Sequence, residues 1–278
     1  MSNWIGWIRE RWGTIRTASA LVHPHLVRVR LSGQQNFHRY ARPVFERYLQ
    51  SLAPHVPIIS YSRMLAMLAI PPTDIQITLP QLNGYVGLSD WERVTVATLA
   101  RCYRKYPAFE IGTAAGSTTL LLALNTSRTV HTLDLPSDGA DNDFALPRLD
   151  SDDQVIAGRK RASMIAQSAS PAVTQRIKTL VGDSATFDYR DYHEQIGLFF
   201  VDGAHSYEYV CSDTANAAAC CRTDGIVVWH DFGSSRDVTR WIDELAAADL
   251  AVYGIDGTTL AFSTDINGLR KMNRRRAA

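Results

Sequence analysis

The 278-residue chain has no apolar run approaching the roughly 18–20 residues that cross a bilayer. Its start is equally short of a signal peptide. Trp4, Ile5, Trp7 and Ile8 are cut off by Arg9 and Arg11, and no small-residue cleavage site follows. Cysteine is scarce, at Cys102, Cys211, Cys220 and Cys221 only. None forms a C-x-x-C pair, which argues against a structural zinc site. Cys220 and Cys221 are adjacent in an alanine-rich run that reads as a helix, the pattern of buried thiols in a reducing compartment. The expected location is cytoplasmic. An excess of one charge is missing too, with 29 Lys and Arg against 28 Asp and Glu and a net charge of +1. That makes no global case for a nucleic-acid partner. Repeats and low-complexity segments are absent as well.

What is present is an ordinary globular composition, 46% hydrophobic and 21% charged. The length suits one large α/β domain with an appendage, or two small domains. Basic residues gather at the ends. Residues 1–50 hold Arg9, Arg11, Arg16, Arg28, Arg30, Arg39, Arg42 and Arg47 against Glu10 and Glu46. Arg270, Lys271, Arg274, Arg275 and Arg276 make a basic tail over residues 266–278. Both ends read as solvated charge. Trp4, Ile8, Trp12 and Ile15 recur at helical spacing and predict an amphipathic helix that packs on the body or on a second subunit, with an interfacial membrane helix as the alternative. Phe37 to Leu52 predicts another helix. Pro54, Pro57, Pro71, Pro72 and Pro80 then break the chain into loops and turns. Residues 1–89 thus read as a helical and irregular extension, a lid or a homo-oligomerisation segment.

From residue 90 the pattern alternates. Ser89 and Glu92 cap a predicted helix over Asp90–Tyr106. Strands are predicted over Ala108–Ile111, Thr129–Leu133, Ile177–Val181, Ile196–Val201 and Gly225–Trp229. Helices are predicted over Ser117–Leu124, Gln154–Ser168, Tyr207–Cys221 and Val238–Ala248, and a loop over Pro136–Asp153. Leu250–Tyr253 and Thr258–Phe262 close the chain as an antiparallel pair across Asp256-Gly257. Strands alternating with helices imply an α/β fold with a mostly parallel sheet covered on both faces.

The densest signal is Phe109-Glu110-Ile111-Gly112-Thr113-Ala114-Ala115-Gly116-Ser117-Thr118. A strand that turns sharply into a helix presents backbone N–H groups and a helix N-terminus to a ligand. The acid ahead of the first glycine does not suit a pyrophosphate, which disfavours a nicotinamide cofactor; it suits a ligand with hydroxyl or ammonium groups. Asp134 ends the second strand, where a carboxylate accepts hydrogen bonds from a ribose diol. Asp183 and Ser184 end the third, within reach of an adenine amino group. Three such positions at successive strand ends are far more specific than any one.

These segments resemble a class I S-adenosylmethionine-dependent methyltransferase, and within that superfamily the small-molecule O-methyltransferases of the macrocin and cephalosporin-hydroxylase type. His131-Thr132-Leu133-Asp134, Asp202-Gly203-Ala204-His205-Ser206-Tyr207 and Val228-Trp229-His230-Asp231-Phe232 carry the likeness further. It covers about residues 90–265. Ala114 stands where the family often has glycine. The resemblance implies a Rossmann-like, seven-stranded, mostly parallel sheet with helices on both faces and its last strand antiparallel. It implies that Gly112, Thr113, Gly116 and Ser117 shape the cofactor pocket, with Glu110 at the methionine end, Asp134 on the ribose, and Asp183 and Ser184 near the base.

A second cluster concerns the acceptor. Asp202 ends the fourth strand and His230-Asp231 the fifth; in this resemblance the two strands are neighbours, about 5 Å apart. Related enzymes hold magnesium on an acidic trio at matching positions. Here His230 departs from the all-oxygen set, and imidazole suits iron, zinc or manganese better than magnesium. Asp202, His230 and Asp231 are the candidate metal ligands. His205, three residues past Asp202, titrates near about 6.5 when unperturbed and is the candidate base, with Asp202 as base or orienting partner. The expected activity is methyl transfer from S-adenosylmethionine to a hydroxyl of a small molecule, a sugar or natural product, with or without a divalent metal. The alternatives are an iron-dependent hydroxylase on the same fold and a non-catalytic cofactor-binding or scaffold protein. His23, His25, His38 and His55 sit in the arginine-rich extension without acidic partners in sequence and are assigned no chemistry.

Overall fold

Among the described residues the alternation closes into one eight-stranded sheet. The structure, a computed structural model, describes residues 48–69, 75–80, 87–136, 144–147, 165 and 170–277. In chain order the elements are β1 (Ile58–Ile59), α1 (Tyr61–Met67), α2 (Asp90–Cys102), β2 (Ala108–Ile111), α3 (Ser117–Asn125), β3 (Val130–Asp134), α4 (Pro171–Thr174) and β4 (Ile177–Val181). There follow β5 (Ile196–Val201), α5 (Tyr207–Cys220), β6 (Cys221–Trp229), α6 (Arg236–Ala247), β7 (Val252–Ile255), β8 (Ala261–Ser263) and α7 (Ile266–Ala277). Contacts divide the chain into two compact units, residues 1–54 and 55–278. In the first, residues 48–52 are helical. The amphipathic helix at Trp4–Ile15, the earlier part of the Phe37–Leu52 helix, most of the Pro136–Asp153 loop and the Gln154–Ser168 helix, apart from helical Ile165, lie outside the described residues.

The strands lie in the order β1-β7-β8-β6-β5-β2-β3-β4, and all pairs are parallel except those of β8, which runs antiparallel to β6 and β7. The last strand is therefore the antiparallel one, as expected, but the sheet has an eighth member. Two-residue β1 pairs with β7 at the edge. Pro57 hid it in the sequence. A proline has no N–H to give a ladder, yet at the start of an edge strand only its carbonyl is needed, and Gly254 donates to that carbonyl at 3.0 Å. The unit that carries the sheet thus begins at His55, ahead of the change in pattern near residue 90. At the other end the basic tail is helix α7, with Ile266 and Leu269 buried.

Both faces of the sheet are covered. Leu198 and Phe200 of β5 join a core with Val96, Leu99, Leu120 and Leu121 of α2 and α3. Phe199 faces the other way and stacks on Phe109, ring centroids 4.8 Å apart. This is why β5 is apolar at every position. Val238, Trp241, Ile242 and Leu245 give α6 a buried stripe. Ser89 and Glu92 form the expected capping box on α2.

Candidate active site

β2 ends at Ile111 and the chain bends through Gly112 (φ 96°), Ala114 (φ 44°) and Gly116 (φ 89°) before α3. Gly112 is required by a close approach. A Cβ there would lie 1.9 Å from the carbonyl oxygen of Asp202, where β5 ends alongside. Ala114 takes a left-handed conformation that costs a residue with a Cβ roughly 1–2 kcal/mol. Its N–H donates to Asp134 Oδ2 at 2.8 Å, and Asp134 Oδ1 accepts from Leu135 N at 2.8 Å. Asp134, at the end of β3, is buried with its carboxylate turned to the bend.

Glu110 faces away from solvent, with no exposed surface. Its Oε2 accepts from the hydroxyls of Thr119 and Thr132, the latter at 2.6 Å, and the hydroxyls of Thr132 and Thr113 lie 2.6 Å apart. Thr132 is its parallel partner on β3. Burial pushes the Glu110 carboxyl up to about 8, although the two threonine hydroxyls favour the charged form. Glu110 and Thr113 thus belong to a buried network beneath the bend. Thr119 and Thr132, which complete it, carry only a faint signal in the sequence, one in a leucine-rich helix and the other in a short strand.

At the end of β4, Asp183 is held by three donors: Ala145 N at 3.0 Å and Tyr209 OH at 2.8 Å on Oδ2, and Ala185 N at 2.9 Å on Oδ1. Ser184 is buried, and its carbonyl accepts from Tyr189 and Asn216. Asp213 of α5 lies below Gly203, wholly buried, and burial pushes its carboxyl up to about 7. Nothing in the sequence marks it.

The imidazole–carboxylate cluster comes together at the ends of β5 and β6, where Val201 pairs with Trp229. A carboxylate only accepts, so the ring nitrogens facing it donate. His230 Nδ1 donates to Asp202 Oδ1 at 2.9 Å and to Asp231 Oδ2 at 3.0 Å. His205 Nε2 donates to Asp231 Oδ2 at 2.9 Å, so the orienting carboxylate of His205 is Asp231 rather than Asp202. Asp231 has φ 61°; its Oδ1 accepts from Ser234 Oγ at 2.6 Å and its carbonyl from Ser234 N and Ser235 N. Burial opposes its charge, but His230 and His205 hold its carboxyl well below the usual carboxylate range. Burial likewise opposes a charged His230, and Asp202 and Asp231 hold its pKa well above the ordinary value. Asp202, His205 and Asp231 bring ligand-type atoms within 4.8 Å of one another. His230, expected among metal ligands, is not in that group. A small cleft lined by Asp202, Gly203, Ala204, His205 and His230 opens beside it. Glu92, read from sequence only as a helix cap, has Oε1 4.0 Å from His230 Nε2. Outside the site, His55 pairs with Asp243 at 2.9 Å, an acidic partner 188 positions away that the sequence does not reveal.

Residues 109–232 match a family model described as a methyltransferase domain. No curated protein matches the chain in sequence. Among solved structures, the O-methyltransferase TomG from Streptomyces achromogenes, involved in tomaymycin synthesis and solved with SAM, is matched at 16% identity over 77% of this chain and 87% of that one, with a TM-score of 0.43. An O-methyltransferase from Bacillus cereus in complex with SAH is matched at 14% identity over 78% of this chain and 89% of that one, also at a TM-score of 0.43. Over the stretch that holds the bend, Asp134 and the cluster of Asp202, His205, His230 and Asp231, this chain is similar to a methyltransferase domain.

Proposed function

We propose that the protein transfers a methyl group from S-adenosylmethionine to a hydroxyl group of a small molecule. The observation that carries the reading is the pairing of two sites at adjacent strand ends: a tight bend with Asp134 turned toward it, and an imidazole–carboxylate cluster next to it. The donor would lie on the bend, with Gly112, Gly116 and Ser117 beneath it and its ribose on Asp134. Asp183 and Ser184 border the adenine end. Glu110 and Thr113 support the bend from below.

The transfer is an in-line displacement. A lone pair of the acceptor oxygen forms the O–CH3 bond as the S–CH3 bond breaks, and S-adenosylhomocysteine leaves as a neutral thioether. Alignment supplies most of the rate. The acceptor proton goes to His205. Because Nε2 donates to Asp231, Nδ1 is the basic nitrogen of the neutral ring. Asp231 orients the ring and stabilises it once protonated.

A divalent ion is a second reading, supported by the approach of Asp202, His205 and Asp231. One imidazole and two carboxylates suit manganese or iron, and such an ion would lower the pKa of the acceptor hydroxyl. Manganese added to chelator-treated protein is then expected to raise its melting temperature, and Asp231→Asn to remove the rise. No rise with the wild type removes the ion from the reaction. The main reading is tested by calorimetry with S-adenosylhomocysteine. Binding is expected, weakened at least tenfold by Asp134→Ala; absence of binding by the wild type overturns it.

A further inference from the structure

His230 is buried, and its two nitrogens fare differently. Nδ1 has two carboxylates to donate to, whereas Nε2 is buried without a hydrogen-bond partner among the described residues. A buried polar atom left in that state needs an account. The nearest charged group is Glu92, its Oε1 at 4.0 Å, beyond a hydrogen bond but within ion-pair reach.

Glu92 is itself buried and cannot swing. Ser89 N donates to its Oε2 at 2.7 Å, and the N–H and hydroxyl of Thr259 donate to its Oε1 at 2.7 Å each. The helix cap explains only the first of these. A capping-box glutamate needs one oxygen for the N-cap N–H and normally leaves the other to solvent. Here the second oxygen is pinned by the β7–β8 connection and set before the imidazole.

We infer that Glu92 is a positioning residue of the proposed methyl-transfer site. It closes the Nε2 side of His230, so that the ring stays with Nδ1 between Asp202 and Asp231. A ring free to turn over would release that shared donor, and with it the spacing of the two carboxylates that flank the acceptor. The inference rests on the methyltransferase reading for its purpose but not for its geometry.

The test separates cap from positioning. Ser89→Ala removes the hydroxyl that Glu92 N bonds at 3.3 Å and leaves the Glu92 carboxylate in place. Glu92→Gln removes the charge, and Thr259→Val is a milder variant that removes one donor to Oε1. In full-length protein labelled with 15N-histidine, the Nδ1–H signal of His230 is assigned by its loss in His230→Asn. Glu92→Gln is expected to shift that signal and speed its proton exchange with water at least tenfold, Thr259→Val to do so less, and Ser89→Ala to leave it unmoved despite a lower melting temperature. An unmoved signal in Glu92→Gln, or an equal shift in Ser89→Ala, overturns the inference. Binding of S-adenosylhomocysteine is measured alongside. A variant affinity within twofold of wild type shows that the donor site is intact, while a wild type that does not bind defeats the methyltransferase reading and leaves the role of Glu92 to be judged by the His230 signal.

Discussion

Single side chains decide how the two halves of the site meet. Gly112 is held at φ 96° and against the Asp202 carbonyl, so Gly112→Ala meets both backbone strain and a steric overlap. A loss of about 3 kcal/mol or more is expected in urea unfolding, with cofactor affinity falling in parallel. Glu110 makes a second prediction. Its folded pKa of about 8 lies above the model-peptide value of 4.5, so folding favours the protonated form. Its contribution to stability is full below pH 4.5 and is lost as pH rises toward 8, at no more than about 1.4 kcal/mol per pH unit. Glu110→Gln cannot ionise, so its melting temperature is expected to gain on wild type steadily from pH 5 to pH 8; parallel curves would contradict the burial argument. The acids and histidines at the ends of β5 and β6 were legible as types and spacings. Their pairing was not, because the direction of a side chain past a strand end depends on packing. Glu92 stayed hidden for a different reason, since its sequence context is fully satisfied by a helix cap.

Among the elements, α7 shows where pattern reading stops. A run of arginines reads as a solvated tail, yet Arg270 reaches back to the end of α5. It donates to the carbonyls of Ala218 and Cys221 at 2.9 and 2.6 Å and pairs with Glu194 at 2.8 Å. A helix end leaves carbonyls without partners, and a guanidinium can satisfy several at once. Arg270→Met is expected to destabilise the protein by about 2–3 kcal/mol in urea unfolding, while Lys271→Met on the exposed side changes it by less than about 0.5 kcal/mol. β5 and the second half of β6 were readable because each is a short apolar run between turn residues. β6 extends back to Cys221, past the expected start at Gly225, because that glycine lies within the strand where β5 and β6 shift register. A Cβ on Gly225 would come within 3.1 Å of the carbonyls of Ile196 and Gly197.

For the whole molecule, ligand linkage gives the clearest expectation. A ligand that binds only the folded form at a hundredfold excess over its Kd adds about 2.7 kcal/mol. S-adenosylhomocysteine is therefore expected to raise the melting temperature, and NADH at the same concentration to leave it unchanged; the reverse would return the bend to a nicotinamide role. The mostly parallel sheet with its last strand antiparallel followed from strand–helix alternation and from the resemblance, whereas the edge strand β1 did not, being two residues long behind a proline. The contact between Gly112 and the Asp202 carbonyl has a consequence for engineering. The bend after β2 and the end of β5 share one backbone seam, so neither is a separable module. Under the proposed methyl transfer, a graft that brings in a foreign loop after β5 must reproduce the path of that carbonyl, or grip on the donor is lost along with the old acceptor.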